Sequence, residues 1–233
     1  MLERRRIDLC CFQERRWKSN GVCQINSDNE KYKLFWNGQK TAKNVVGIFV
    51  KKPLAQEVLD IKRINSRLMW IKLRLEKQTM IIFPAYAPQT GKSEEMKNDF
   101  SAAFSDTIST IPKSETILIG GDLNGHVGEK TDCFDNVHGG FGYGERNEDG
   151  NRILEFAESH GFCLLNTYFR KRLEHLITYK SGPSATQIDF FAVKQHHRGL
   201  FKNVTVNPGE SCVAQHRLLM ADQVVELSQH KSK

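Results

Sequence analysis

Long apolar runs are missing from this sequence. The largest clusters, such as Met80-Ile81-Ile82-Phe83, are strand-sized, far short of the roughly 18 apolar residues that a membrane-spanning helix needs. The start, Met1-Leu2-Glu3-Arg4-Arg5-Arg6, lacks the apolar stretch of a secretory signal, so the chain is expected inside the cell. Cysteine is sparse and unpatterned. Cys10, Cys11, Cys23, Cys133, Cys163 and Cys212 contain no C-x-x-C pair, which argues against a zinc module or a disulfide framework. Cys10, Cys11 and Cys163 lie in apolar segments and read as buried reduced thiols. There is no internal repeat, no linker long enough to split the chain and no basic low-complexity tail.

What is present is a globular balance. The chain has 233 residues, 39% hydrophobic and 26% charged, enough to bury one full core without staples. A single domain over residues 1–227 with a short disordered tail at 228–233 is expected. Lys and Arg total 34 against 27 Asp and Glu, a net charge of +7. A basic chain favours polyanions, either nucleic acid or an anionic membrane surface.

The patterning predicts many short strands and few helices. Segments 7–12, 32–36, 45–50, 69–75 and 79–86 read as strands, the fourth with Ile71, Leu73 and Leu75 on one face and Lys72 and Arg74 on the other. A helix is expected over 93–111, with Ser93 as cap, Glu94 and Glu95 in the first turn and Pro112 as stop. A buried strand at 116–119 runs into Gly120-Gly121-Asp122, and a second helix is expected over 150–160. Strands near 163–169, 177–180, 187–193 and 218–227 follow. This is a layered α/β sandwich rather than a strict βαβ repeat. Residues 125–146 carry six glycines and read as a long loop, a kind of segment that is often functional.

Four short stretches carry chemistry. Asp122 and Asn124 sit two residues apart at a strand end, so one can bind a hard cation while the other hydrogen-bonds a reacting oxygen; a plain polar turn would look the same. Phe12-Gln13-Glu14 ends a buried strand in a carboxylate, either a second oxygen ligand or a solvated glutamate. Asp189 lies inside an apolar run, costly unless paired. His216 precedes Leu218-Leu219-Met220, and an Asp that orients a His is a recurrent catalytic unit.

Phe12-Gln13-Glu14, Tyr86-Ala87-Pro88, Gly121-Asp122-Leu123-Asn124, Gln187-Ile188-Asp189 and Gln215-His216, in that order, resemble the endonuclease/exonuclease/phosphatase superfamily. Arg4–Glu14 and Gly144-Glu145-Arg146-Asn147-Glu148-Asp149-Gly150-Asn151-Arg152 are similar to the endonuclease domain of non-LTR retrotransposons and to related craniofacial-development-type host proteins. The resemblance covers about Arg4 to Val225. It implies a four-layered α/β sandwich, two mainly antiparallel sheets with helices outside, and a Mg²⁺- or Mn²⁺-dependent endonuclease acting on DNA, with no membrane and no small-molecule cofactor, in a nuclear setting. By the same resemblance Glu14 and Gln215 stand at metal positions. Tyr86 would line the phosphate site, Asp122 would prepare the attacking water, and Asn124 would hydrogen-bond the phosphate or the water. Asp189 would orient His216, and Thr178 matches a family substrate position. Arg146, Arg152, Arg170, Lys171 and Arg172, basic residues near or after the glycine-rich loop, are candidate contacts to DNA substrate.

Two departures from the family stand out. The family opens with a strand bearing a metal-binding Asn, ahead of the Arg-rich segment, and this chain starts at Met1-Leu2-Glu3; the first strand is therefore expected to be lacking. The family's Ser-Asp-His reads here as Ala214-Gln215-His216, which removes an anionic ligand that hard cations prefer. An impaired enzyme, or a catalytically decayed nucleic-acid- or protein-binding module, fits these departures. A phosphatase or phosphodiesterase for small molecules or lipids is a third reading, against which the Gly-Glu-Arg-Asn stretch speaks.

Overall fold

The computed structural model describes residues 2–15, 17, 19–26, 30–38, 45–76, 78–211 and 215–223, without the side chains of Glu14, Arg15, Glu210 and Ser211. The expected tail at 228–233 and the end of the expected strand at 224–227 lie outside the described residues. The architecture is mixed α/β, with several sheets and few helices. Contacts divide the chain into two units, one of Met1–Tyr86 with Lys113–Gly121, the other of Ala87–Pro112 with the described chain from Asp122 on.

The first unit is built from strands. β1 (Leu9–Arg15), β2 (Gly21–Asn26), β3 (Lys31–Asn37) and β4 (Val45–Lys51) form a sheet in the order β1-β4-β3-β2, antiparallel at each pairing. After a single helical turn, α1 (Lys52–Ala55), come β5 (Val58–Asn65), β6 (Leu68–Arg74), β7 (Thr79–Tyr86) and, later in the chain, β8 (Thr116–Asp122), side by side in that order. Alternate residues make the core: Val46, Ile48 and Val50 from β4, Met69, Ile71 and Leu73 from β6, Met80, Ile82 and Tyr86 from β7. Each fully buried aliphatic side chain of this kind is worth roughly 1.5–3 kcal/mol, so the period of two decides which face turns inward.

The second unit holds the long helices α2 (Glu94–Ser109) and α3 (Glu148–Ser159). Ser93 caps α2 by accepting from the Met96 N–H, and Phe104 of α2 stacks on Phe156 of α3 at 4.6 Å. It continues through β9 (Phe162–Leu164), β10 (Tyr179–Ser181), β11 (Ser184–Thr186), β12 (Asp189–Lys194), β13 (Phe201–Ser211) and β14 (Arg217–Gln223). β9 pairs with β12, β10 with β11 and β13 with β14, all antiparallel. Residues 165–168, expected as strand, form a 3-10 turn. β13, at 11 residues the longest strand, and β2 and β5 were not expected. β2 buries none of its residues, so no apolar alternation marks it.

Candidate active site

The second unit gathers its polar residues where β8 ends. Ile117 and Ile119 bury the strand, and Gly121 lets it pass the neighbouring backbone, since a Cβ there would lie 1.9 Å from the Ala85 carbonyl oxygen. Asp122 follows, 1% exposed. The chain then turns: Asn124 has φ +52°, a left-handed conformation that asparagine tolerates. Its N–H donates to Asp122 Oδ1 at 2.9 Å and its amide Nδ2 donates to the Ala87 carbonyl at 2.9 Å. The Thr90 hydroxyl donates to the Asn124 carbonyl. Asp122 and Asn124 are thus joined by a turn, not by the two-residue alternation of a continuing strand.

The Leu123 N–H donates to the Ile188 carbonyl at 2.9 Å, which holds this turn beside the start of β12. Asp189 opens that strand. Thr178, 0% exposed, accepts the N–H groups of both Ile188 and Asp189 on its hydroxyl, each at 3.0 Å. His216 pairs with Tyr179 in an isolated bridge, packs edge-on against its ring at 4.9 Å and places Nδ1 3.0 Å from Asp189 Oδ2. A carboxylate only accepts, so Nδ1 carries the proton. Nε2 then faces Asp122 Oδ2 at 3.9 Å, beyond hydrogen-bond length. Ligand atoms of Asp122, Asp189 and His216 all lie within 4.8 Å of one another. Two hard carboxylate oxygens and one imidazole are a donor set that suits a divalent cation.

The remaining expected residues are placed as follows. Gln215 is exposed; its Oε1 accepts from the Tyr179 hydroxyl at 3.1 Å and its Nε2 donates to the Ser181 hydroxyl at 2.9 Å. The Glu14 side chain lies outside the described residues. Tyr86 is 3% exposed, belongs to the core of the first unit and has the Arg67 guanidinium 4.9 Å from its ring centre. Thr178 requires a correction. A side chain with no exposed surface, its oxygen occupied by two N–H groups, cannot contact substrate and instead fixes the backbone that carries Asp189.

The expected Arg146 and Arg152 contacts also change meaning. Arg146 donates to the carbonyls of Val127, Lys130, Thr131 and Asp132, so its guanidinium ties down the glycine-rich loop. Arg152 is engaged by Glu94 and Asn98. Around them the Gly-Glu-Arg-Asn stretch proves architectural. Asn147 caps α3 by accepting from Gly150 N–H and also takes the His126 N–H. A Cβ on Gly150 would stand 1.7 Å from the His126 carbonyl oxygen. Asp149 forms a buried ion pair with Lys97 at 2.8 Å; that hydrogen bond holds the Lys97 ammonium above its usual range, with Glu94 adding to it and burial opposing. His138, 0% exposed, accepts the Gly140 N–H on Nδ1 and donates from Nε2 to the Gly128 carbonyl, and burial pushes its imidazole down. Sequence reasoning missed Lys97 and His138; the only signal was a lysine on the inner face of a helix. Arg170 and Arg172 are exposed.

The fold and site geometry can be set beside known proteins. No family model matches the chain. Craniofacial development protein 2 of Bos taurus is 27% identical over 222 residues, 94% of this chain and 37% of that protein; the chain thus spans well under half the length of that relative. The catalytic domain of Xenopus laevis APE2 superposes with a TM-score of 0.69 at 12% identity, over 96% of this chain and 87% of that one. The endonuclease domain of TRAS1, a telomere-specific non-LTR retrotransposon, does so with a TM-score of 0.62 at 13% identity, over 97% and 90%. The chain has the endonuclease/exonuclease/phosphatase fold. Among the described residues, no helix of this fold is long and apolar enough to cross a membrane.

Proposed function

We propose that the chain is a divalent-metal-dependent endonuclease that cleaves phosphodiester bonds in DNA, within the nuclear setting such a substrate implies. The arrangement of Asp189, His216 and Asp122 carries this reading. Asp189 holds the Nδ1 proton of His216, so Nε2 is presented toward Asp122 at 3.9 Å, and a phosphate oxygen or a water beside the pair would lie in reach of both. Asp122, its other oxygen fixed by the Asn124 N–H, accepts a proton from the attacking water or orients it. A protonated His216 offsets phosphate charge, more in the transition state than in the ground state. Asp122 and Asp189 would offer carboxylate oxygens to a Mg²⁺ or Mn²⁺ ion, and Glu14 is a further candidate; such an ion supplies positive charge to the phosphoryl oxygens. The net charge of +7 and exposed Arg170 and Arg172 favour a polyanionic substrate. That a structural neighbour, the TRAS1 domain, bears the name of an endonuclease supports the same reading.

A second reading is favoured by one observation. Gln215, neutral where the family has a carboxylate, is held by Tyr179 and Ser181. That leaves one charged ligand fewer, and the chain would then bind DNA or protein without cutting. Plasmid nicking with Mg²⁺ or Mn²⁺, beside an electrophoretic shift in EDTA, separates the two. Nicking that disappears in Asp122→Ala supports the enzyme, whereas binding without nicking supports the module. Gln215→Asp sharpens the result: the enzyme reading expects higher activity or a lower metal requirement.

A further inference from the structure

Between two 3-10 turns, Leu165–Tyr168 and Leu173–His175, the chain runs Arg170-Lys171-Arg172-Leu173. Leu173 is 62% exposed, more than any other exposed large hydrophobic among the described residues, of which the next, Val22 and Leu59, reach 44%. A single exposed leucine is ordinary; this one differs in its surroundings. Arg170 and Arg172 on its N-terminal side are exposed, so two cations precede it within three residues. Glu174 is the one adjacent acid, with a carboxylate oxygen 3.7 Å from His175 Nε2.

The turn is also rigidly tied to the site. Lys171 bonds Asn203 of β13. His175 Nδ1 donates to the Val206 carbonyl at 2.9 Å, and the Arg217 guanidinium donates to the Glu174 carbonyl at 3.3 Å. Arg217 is the residue after His216. Leu173 therefore stands one arginine side chain and a few residues of backbone from the candidate catalytic histidine, at most on the order of 20 Å away.

We propose that residues 170–173 form a DNA-gripping wedge: Arg170 and Arg172 hold phosphates on either side of the scissile bond's neighbourhood, and Leu173 inserts between base pairs. The proposal rests on the DNA reading above and deepens it. Phosphate contacts give affinity and register. An apolar side chain entering a base step unstacks it and bends the duplex, which would expose the phosphate presented to His216. A leucine is suited to this because it loses water without leaving a buried polar group behind.

The test uses a short duplex carrying 2-aminopurine, whose fluorescence rises on unstacking, placed stepwise along the strand, with the full chain in EDTA so that nothing is cut. Wild type at saturation should raise fluorescence several-fold at one position. Leu173→Ala should still bind at low salt but abolish most of that rise, and Leu173→Met should restore it. Arg170→Gln and Arg172→Gln should each lower the slope of log affinity against log salt by about 0.9 while the saturated complex keeps its signal. Equal fluorescence for wild type and Leu173→Ala complexes, with nicking retained, overturns the wedge alone. A wild-type chain that neither shifts nor nicks any duplex overturns both the wedge and the DNA reading. Thermal melting of Leu173→Ala, expected unchanged for an exposed side chain, separates loss of insertion from loss of fold.

Discussion

Two regions of the second unit use the same residue types to opposite ends. At the glycine-rich loop and the start of α3, Arg146, Asn147, Asp149 and His138 bond to backbone groups or to a buried partner: four carbonyls for Arg146, two N–H groups for Asn147, Lys97 for Asp149, Gly128 and Gly140 for His138. At the end of β8, two carboxylates and an imidazole, those of Asp122, Asp189 and His216, bring ligand atoms within 4.8 Å of one another. The difference separates holding from reacting. In the loop each polar group answers a backbone group or an opposite charge, whereas at the strand end acids and a base converge, as a cation or a phosphate would require.

The comparison breaks most sharply on paired substitutions. In the nicking reaction proposed here, Asp122→Ala should cut the rate by about three orders of magnitude or more, as loss of a water-positioning group does. Its melting temperature should move little. His216→Ala should come close to it, and Asp189→Asn should cost less, because it weakens only the orientation and charge of His216. Single-turnover nicking on saturating DNA reads these rates; equal losses for Asp189→Asn and His216→Ala would mean that Asp189 does more than orient.

Asp149→Ala should do the reverse. It leaves the Lys97 ammonium, 9% exposed, with Glu94 at 3.2 Å as its remaining carboxylate, so a loss of about 1–3 kcal/mol is expected. Denaturant unfolding should show that loss, with nicking per folded molecule near wild type. Lys97→Met with Asp149→Leu should recover much of it, since an apolar pair needs no compensation. If activity fell as far as stability, the loop region would have to be counted as part of the site.

Arg146→Lys is a milder test of the same idea. A lysine carries one ammonium where the guanidinium forks to carbonyls of Val127, Lys130, Thr131 and Asp132, so it cannot replace the fork. A loss of about 2 kcal/mol is expected, read by thermal melting, with the salt slope of DNA binding unchanged. A lower slope would return Arg146 to the phosphate contacts expected of it from its motif.

How much of this could be read from the sequence depends on how local the cause is. β7 spans Thr79–Tyr86, the segment expected, because a short apolar run, buried from Met80 to Tyr86, is a property of adjacent residues. α2 follows from Ser93 and Pro112 at its ends for the same reason. β13 escaped because Asn207-Pro208-Gly209 reads as a turn. The strand absorbs Pro208 in a register shift between Asn207 and Ser211, and only the paired β14 makes that tolerable. The motif containing Arg146 was legible as a motif, yet the destination of its donors, carbonyls 14 to 19 residues away, is a matter of loop geometry. The contact between Asp189 and His216 spans 27 residues; spacing could not supply it, and it was suggested only by the general pairing of Asp with His and by the family resemblance. Thr178 was visible by the same route, but its burial, and hence its positioning task, was not.

The smallest effect separates the two regions by pH. Burial lowers the His138 imidazole below its ordinary value of 6.5, against the opposing bond to the Gly128 carbonyl, and His126 and His197 are lowered by burial as well. Between the ordinary value and the lowered one, the unfolded chain binds more protons than the folded chain. Stability therefore is complete above about pH 6.5 and is lost as pH falls through that window. Asp8, raised by burial from 3.8, acts with the opposite sign at lower pH, so measurements from about pH 8 down to about pH 5.5 isolate the histidines. Urea unfolding across that range should show stability falling toward acid. His138→Gln, which can still donate to the Gly128 carbonyl, should flatten the curve by the His138 share and leave the remainder to His126 and His197. A ring titration of His138 by NMR checks the same group without substitution. Were that ring to titrate at or above its ordinary value, His138 would be holding a proton in the folded state, and the loop would contain a charged imidazole where the geometry places a neutral one.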